Sequence, residues 1–233
     1  MKKFFSIIVL LVTFCFASNS YSQNKLLINA GANIPMGTFG DSYKTGPSAE
    51  IGFVAFSLPA SKLDLVVSAG YNSFSYKNDY FINQVKTNLG VGVTGFSPDW
   101  KASNISIMAG GRIKMSTGKF VPYAEGQLGF SMFSFSDRLT GQINASSSDP
   151  SNVSLNGATE SGSETGLGAA FGLGTEISVA PKLALDFGVK YNYSGVTYAK
   201  VYKVFRNNNS QFTTQELKNP SYVTAKIGVV VNF

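Results

Sequence analysis

The chain has 233 residues and a formal net charge of +6, and is 44% hydrophobic but only 14% charged. That charged share lies well below the quarter or so usual in soluble domains, yet beyond the N-terminus no run reaches the 18 apolar residues of a membrane helix. The dispersed Lys and Arg exclude a nucleic-acid footprint, and one cysteine with no histidine excludes disulfide stapling, His-dependent catalysis and His/Cys metal sites.

Residues 1–22 read as a secretory signal peptide. Lys2 and Lys3 precede an apolar run from Phe4 to Phe16, and Ser20-Tyr21-Ser22 sets small residues three and one before a cut at Gln23. The apolar run is too short to span a bilayer as a helix. Cleavage takes the net charge from +6 to +4 and removes Cys15, where Phe14 disfavours processing as a lipoprotein. The expected organisation is a leader over 1–22 and one barrel domain over 23–233.

The mature chain opens with alternating apolar and polar side chains over 26–34 and 48–57, the period-two signature of strands with two unlike faces. Residues 35–47 between them read as a long loop. The short turn Leu58–Lys62, with its proline, leads to the noisier alternation of 63–74.

A second long loop is expected over 75–103, with Val85–Phe96 as a hairpin arm outside the membrane or as a strand that changes the count. Within it Gly90-Val91-Gly92-Val93-Thr94-Gly95 matches a dinucleotide-binding expression. That motif requires a strand before it and a helix after it. Ser97-Pro98 follows without a helical period, so the segment reads as glycine-rich strand or loop.

Alternation resumes at 104–115, where Ile105, Ile107, Ala109 and Ile113 oppose Asn104, Ser106, Arg112 and Lys114. After Ser116–Gly118, Leu128, Phe130 and Met132 oppose Glu125, Gln127 and Ser131. Residues 136–163 form a third long loop, polar and rich in Ser, Asn and Gly around Asp149-Pro150. Such a loop on a rigid scaffold is a place for binding, although its composition identifies no ligand. Strands over 164–178 and 183–194 flank the turn Val179–Lys182. The fourth loop, 198–220, is aromatic and basic (Tyr198, Tyr202, Phe205, Arg206, Phe212) and reads as strand extensions above the bilayer, with an adhesive surface as the alternative. In the last strand Val223, Ala225, Ile227, Val229, Val231 and Phe233 share one parity, and Val230 is an apolar exception on the other.

These strands run about 9 to 15 residues, against 5 or 6 in soluble sheets and the 9 to 11 needed to cross a membrane on a tilt. Short turns alternate with long loops, the pattern of outer-membrane barrels. The predicted fold is all-β: an eight-stranded antiparallel up-and-down transmembrane β-barrel, both ends on the short-turn side. The inward parity carries Glu50, Asp64, Glu125, Glu176 and Asp186 with Arg112, Lys114, Lys190 and Lys226. Opposite charges in so narrow an interior pair and fix register as a structural network. A lumen filled by side chains is therefore expected, with a narrow channel for small solutes as the alternative. A carboxylate-pair enzyme, for example Glu50 with Asp64, is the distant rival.

The leader, the segment Val121-Pro122-Tyr123-Ala124-Glu125-Gly126 through Gly129-Phe130, the run Ala180-Pro181-Lys182-Leu183 to Tyr193, and Phe233 carry a resemblance. The chain resembles the outer-membrane protein beta-barrel domain family of Gram-negative bacteria, which includes the OmpA/OmpX-like small barrels. The resemblance implies outer-membrane lipid and the barrel-assembly machinery as partners, with Phe233 as the terminal aromatic read during assembly. Val231 stands where that signal often has a second aromatic. The family implies no shared catalytic, metal or cofactor residues. The expected role is structural or surface-interactive, through four long extracellular loops.

Overall fold

The computed structural model describes residues 24–58, 62–89, 92–94, 100–146, 152–206 and 209–233. The expected leader with Cys15, Gly90, Val91 and Gly95 of the glycine-rich motif, and Asp149-Pro150 lie outside the described residues. The strands are β1 (Lys25–Met36), β2 (Gly46–Leu58), β3 (Leu63–Ser75), β4 (Gly92–Thr94), β5 (Lys101–Lys114) and β6 (Phe120–Ser146). They continue as β7 (Asn152–Ala180), β8 (Leu183–Ser194), β9 (Thr197–Arg206), β10 (Asn209–Lys218) and β11 (Ser221–Asn232). Two helices, α1 (Gly37–Ser42) and α2 (Asn78–Leu89), interrupt them.

Eight strands close on themselves in the order β1-β2-β3-β5-β6-β7-β8-β11, with β11 returning to β1 and every pairing antiparallel. Closure leaves these eight strands without an edge, which an all-backbone-satisfied barrel requires. The predicted eight-stranded up-and-down barrel is the observed one.

Alternation assigns the faces. On β1, Lys25, Leu27, Asn29 and Asn33 are buried while Ile28, Ala30, Ala32 and Ile34 are exposed. Among the described side chains, outward positions on all eight barrel strands are uncharged apart from Lys101 at one end. Leu128, Leu167 and Leu173 are 67%, 71% and 64% exposed in the isolated chain. The apolar band runs along β5 and one residue past its end, from Ile105 to Met115, about 25 Å along the barrel axis for a tilted strand. Ser73, Ser103, Ser134, Thr165 and Ser221 end it toward the long connections, where Tyr71, Tyr191 and Tyr193 also lie.

Two deviations from strict alternation have local causes. A register shift between Val54 and Phe56 makes Ala55 an extra residue, so both Val54 and Ser57 point inward. Val230, the apolar exception on its parity, joins Leu27, Val54, Val66 and Ala184 in a small buried cluster. The same cluster explains the noise in 63–74, because Val66 is apolar and inward.

The long connections differ from the expected loops. Residues 136–146 and 152–163 are strand: β6 and β7 run 27 and 29 residues and continue to pair with each other well beyond the barrel. Main-chain pairing there outweighs a polar Ser/Asn/Gly composition. Within 198–220, β9 and β10 pair antiparallel, in line with strand extensions, and β9 runs parallel to β6 at Gln142–Asn144. The described part of Val85–Phe96, residues 85–89 and 92–94, does not form the expected hairpin arm. Helix α2 occupies its first part and β4 follows, pairing in parallel with β7 outside the barrel. A helix preceding a strand reverses the dinucleotide-binding order, so that motif has no structural context here.

Candidate functional site

The barrel interior gathers the chain's buried chemistry. Cross-strand register sets Arg112 opposite Asp64 on one side and Glu125 on the other. Arg112 is 1% exposed and donates from Nη2 to Glu125 Oε2 at 2.9 Å and from Nη1 to Glu176 Oε1 at 2.7 Å. Asp186 Oδ2 lies 3.7 Å from Nη2. The guanidinium carbon sits 3.8 Å over the ring of Tyr123, whose hydroxyl donates to Asp186 at 2.7 Å. A planar cation with five donors suits this many-sided site better than an ammonium would.

Lys226 Nζ reaches Glu125 at 2.8 Å and Glu50 at 3.8 Å, and Lys190 pairs with Glu50. Asp64 accepts from Lys114 at 2.6 Å and from Ser57 at 2.7 Å, with Lys25 at 3.5 Å. All nine sequence-predicted charges thus enter ion pairs, but Glu50 and Asp64 serve different cations rather than each other. The sequence reading missed Lys25, which lies one residue before the predicted strand at 26–34. Its parity with Leu27 and Asn29 was the available signal. With it, the ion-paired interior holds five cations and five carboxylates. Balance of this kind offsets the cost of desolvating each charge.

Inward glycines make the room. A Cβ on Gly172 would meet Glu125 at 3.0 Å, and one on Gly174 would fall on the Tyr123 hydroxyl. Several contacts join strands three apart in the barrel order, such as Lys226 of β11 with Glu125 of β6 and Lys190 of β8 with Glu50 of β2.

Farther from the short turns the charges give way to amides and hydroxyls. Asn72 donates to Asn104 at 3.1 Å and to the Tyr222 hydroxyl at 2.9 Å, and Asn104 donates to Ser131 at 2.6 Å. Asn192 donates to Thr224, which donates to Asn33 at 2.7 Å. Between these amides and Glu50, Lys190 and Lys226 lies a polar cavity of about 20 Å³, room for about one water.

The end nearest the long connections is aromatic. Phe39 of helix α1 and Tyr43, which caps it, are buried there, Phe39 lying 4.9 Å from Phe74 and 5.7 Å from Phe133 between ring centroids. Tyr43 packs on Tyr76 at 5.3 Å and Phe135 stacks on Tyr198 at 4.2 Å. The expected open loop over 35–47 is therefore an inserted turn of helix. Alternation could not show it, because Phe39 and Tyr43 lie between strands rather than within one. Phe233 is 62% exposed at the opposite end, its amide donating to the Asn24 carbonyl at 3.1 Å.

No protein-family model and no curated protein matches the chain. Among solved structures it is similar to Neisserial surface protein A, with a TM-score of 0.54 and 18% identity over 90% of this chain and 97% of that one. It is also similar to the outer membrane protein OprG of Pseudomonas aeruginosa, with a TM-score of 0.50 and 12% identity over 91% of this chain and 96% of that one. Closure, register and these two likenesses agree: the chain has the fold of the small eight-stranded outer-membrane barrels.

Proposed function

We propose that the protein is an integral outer-membrane barrel, exported by a cleaved leader, whose side chains fill the lumen. On this reading it acts as a scaffold that presents the segments around β6–β7, β9–β10, α1 and α2 outside the cell. The observation that carries it is the uncharged outward band on all eight strands. Side chains such as Leu128, Leu167, Phe171 and Leu173 are more than 60% exposed in the isolated chain, and burying that much apolar surface in hydrocarbon is strongly favourable. The filled lumen is supported by the cross-barrel ion pairs and by the aromatic layer above them. On the same reading Phe233, exposed on the outward parity, is the residue that the assembly machinery reads.

Two measurements test the proposal. Folded protein in detergent is expected to migrate differently on gels before and after boiling, and surface protease on intact cells is expected to cut within 136–163 or 198–220 but not at the short turns. In planar bilayers the wild type is expected to give no stable unit currents. Stable currents would favour the narrow-channel alternative, and water solubility without detergent would overturn the membrane reading.

A further inference from the structure

The short-turn end carries a repeated feature that the scaffold role leaves unused. Every strand rising from that end begins at a lysine followed at once by an apolar residue: Lys25-Leu26, Lys62-Leu63, Lys119-Phe120 and Lys182-Leu183. Lys25 points inward and is spent on Asp64. The other three are exposed.

Their placement is equivalent. The carbonyl of Lys62 accepts from the Lys114 amide at 2.8 Å, that of Lys119 from Ser178 at 2.8 Å, and that of Lys182 from Asn232 at 2.9 Å. Each lysine is thereby pinned level with the end of the next strand round the barrel. Each is itself exposed and directly precedes an outward apolar residue, Leu63, Phe120 or Leu183, at the end of the apolar band. The turns contribute no carboxylate to answer them, and the nearby Asp64, Glu176 and Asp186 are buried and ion-paired within the lumen. Lys62 moreover holds a φ of 55°, a conformation that favours glycine or asparagine, so a lysine there is not the easiest turn residue.

We infer that Lys62, Lys119 and Lys182 form an anionic-phospholipid contact ring at the short-turn end. Each ammonium engages the phosphate of a lipid whose chains lie against the adjoining apolar side chain. This rests on the membrane reading proposed above and adds the headgroup class. Lysine is suited to the task, because a flexible stem can follow a mobile phosphate at the interface. A lysine near an anionic surface gives roughly a fivefold gain in association, screened by salt.

The test uses the full mature chain in phosphatidylcholine vesicles containing a quarter phosphatidylglycerol, with spin-labelled forms of each lipid reporting the boundary shell. The wild type is expected to prefer phosphatidylglycerol about twofold or more, averaged over the shell, and to lose the preference in 1 M salt. The K62Q/K119Q/K182Q variant should lose it as well. The corresponding triple arginine variant should keep it, and so should K44Q/K86Q/K101Q, which removes equal charge at the other end. Absence of preference in wild type that shows heat-modifiable mobility would overturn the ring and leave the membrane reading standing. Equal losses in both glutamine variants would overturn it too, as would binding of soluble polyglutamate without any lipid preference, which would make the ring a protein contact. Failure of the wild type to insert would instead remove the membrane reading, and the ring with it.

Discussion

Arg112 on β5 and Glu125 on β6 form a two-donor contact on a single oxygen, with Nε at 3.2 Å and Nη2 at 2.9 Å from Oε2. Because register sets the two residues directly opposite each other, the pair forms only in the native alignment. A slip of one residue would turn one partner to the outer face of the barrel. The contact therefore links strand pairing to lumen chemistry.

Arg112→Met is expected to be strongly destabilising. It leaves Glu176 and Asp186 buried near each other without their cation, and removing one partner of a buried pair costs about 3–5 kcal/mol. Glu125→Gln should cost less, because Arg112 keeps Glu176 and Asp186. Urea titration in vesicles, read by heat-modifiable mobility, measures both. Wild-type stability in the methionine variant would mean that the cluster is solvated and energetically idle.

Outward charge gives a depth-dependent readout. Leu128 lies near the middle of the apolar band on β6, whereas Ser73 lies at its serine edge on β3. In a bilayer Leu128→Arg is expected to cost about 2–4 kcal/mol and Ser73→Arg about 0–1 kcal/mol. The same urea titration separates them. Equal and small effects would place water, not lipid, against Leu128.

How much of this was legible in the sequence follows from the period of two. Where a strand has an apolar outer face on one side and a polar lumen on the other, as in β5 or β8, parity alone assigned Arg112, Lys190 and Asp186 inward. Where the lumen itself turns apolar, at Val66 and Val230, parity loses contrast although the structure keeps it. Segments outside the barrel carry no such two-sided contrast. Helix α2 and the long β6–β7 hairpin were therefore hidden, since what holds them is pairing and packing with distant segments rather than a local pattern. Lys25 was lost for a simpler reason: strand ends are where pattern reading stops early.

Inward glycine has a packing consequence that can be measured. A Cβ on Gly174 would fall on the Tyr123 hydroxyl and lie 2.6 Å from the Phe187 carbonyl oxygen. Gly174→Ala is expected to cost about 1–3 kcal/mol through overpacking. Tyr123→Phe removes the hydroxyl but also the donor that Asp186 accepts from at 2.7 Å. The double variant should cost less than the two singles added, by about 0.5 kcal/mol or more, because the clash is relieved in part. Strict additivity would mean that the ring moves aside.

Helix α1 supplies the last test, because its anchorage is separable from the barrel. Six residues with no side-chain cap bond cannot hold a helix alone. What holds it is Phe39 among Phe74 and Phe133, with Ser42 accepting from the Lys77 amide at 2.8 Å. The strands on either side, β1 and β2, pair with each other and with β11 and β3 through registers that include no α1 residue. Phe39→Ala removes a buried ring worth about 3–5 kcal/mol of packing in a site that cannot collapse. Release of α1 relieves that loss without opening the barrel. The expected outcome is faster tryptic cleavage at the exposed Lys44 in a variant whose urea midpoint barely moves. A midpoint lowered by the full packing loss, with Lys44 as resistant as in wild type, would show α1 to be inseparable from the barrel core.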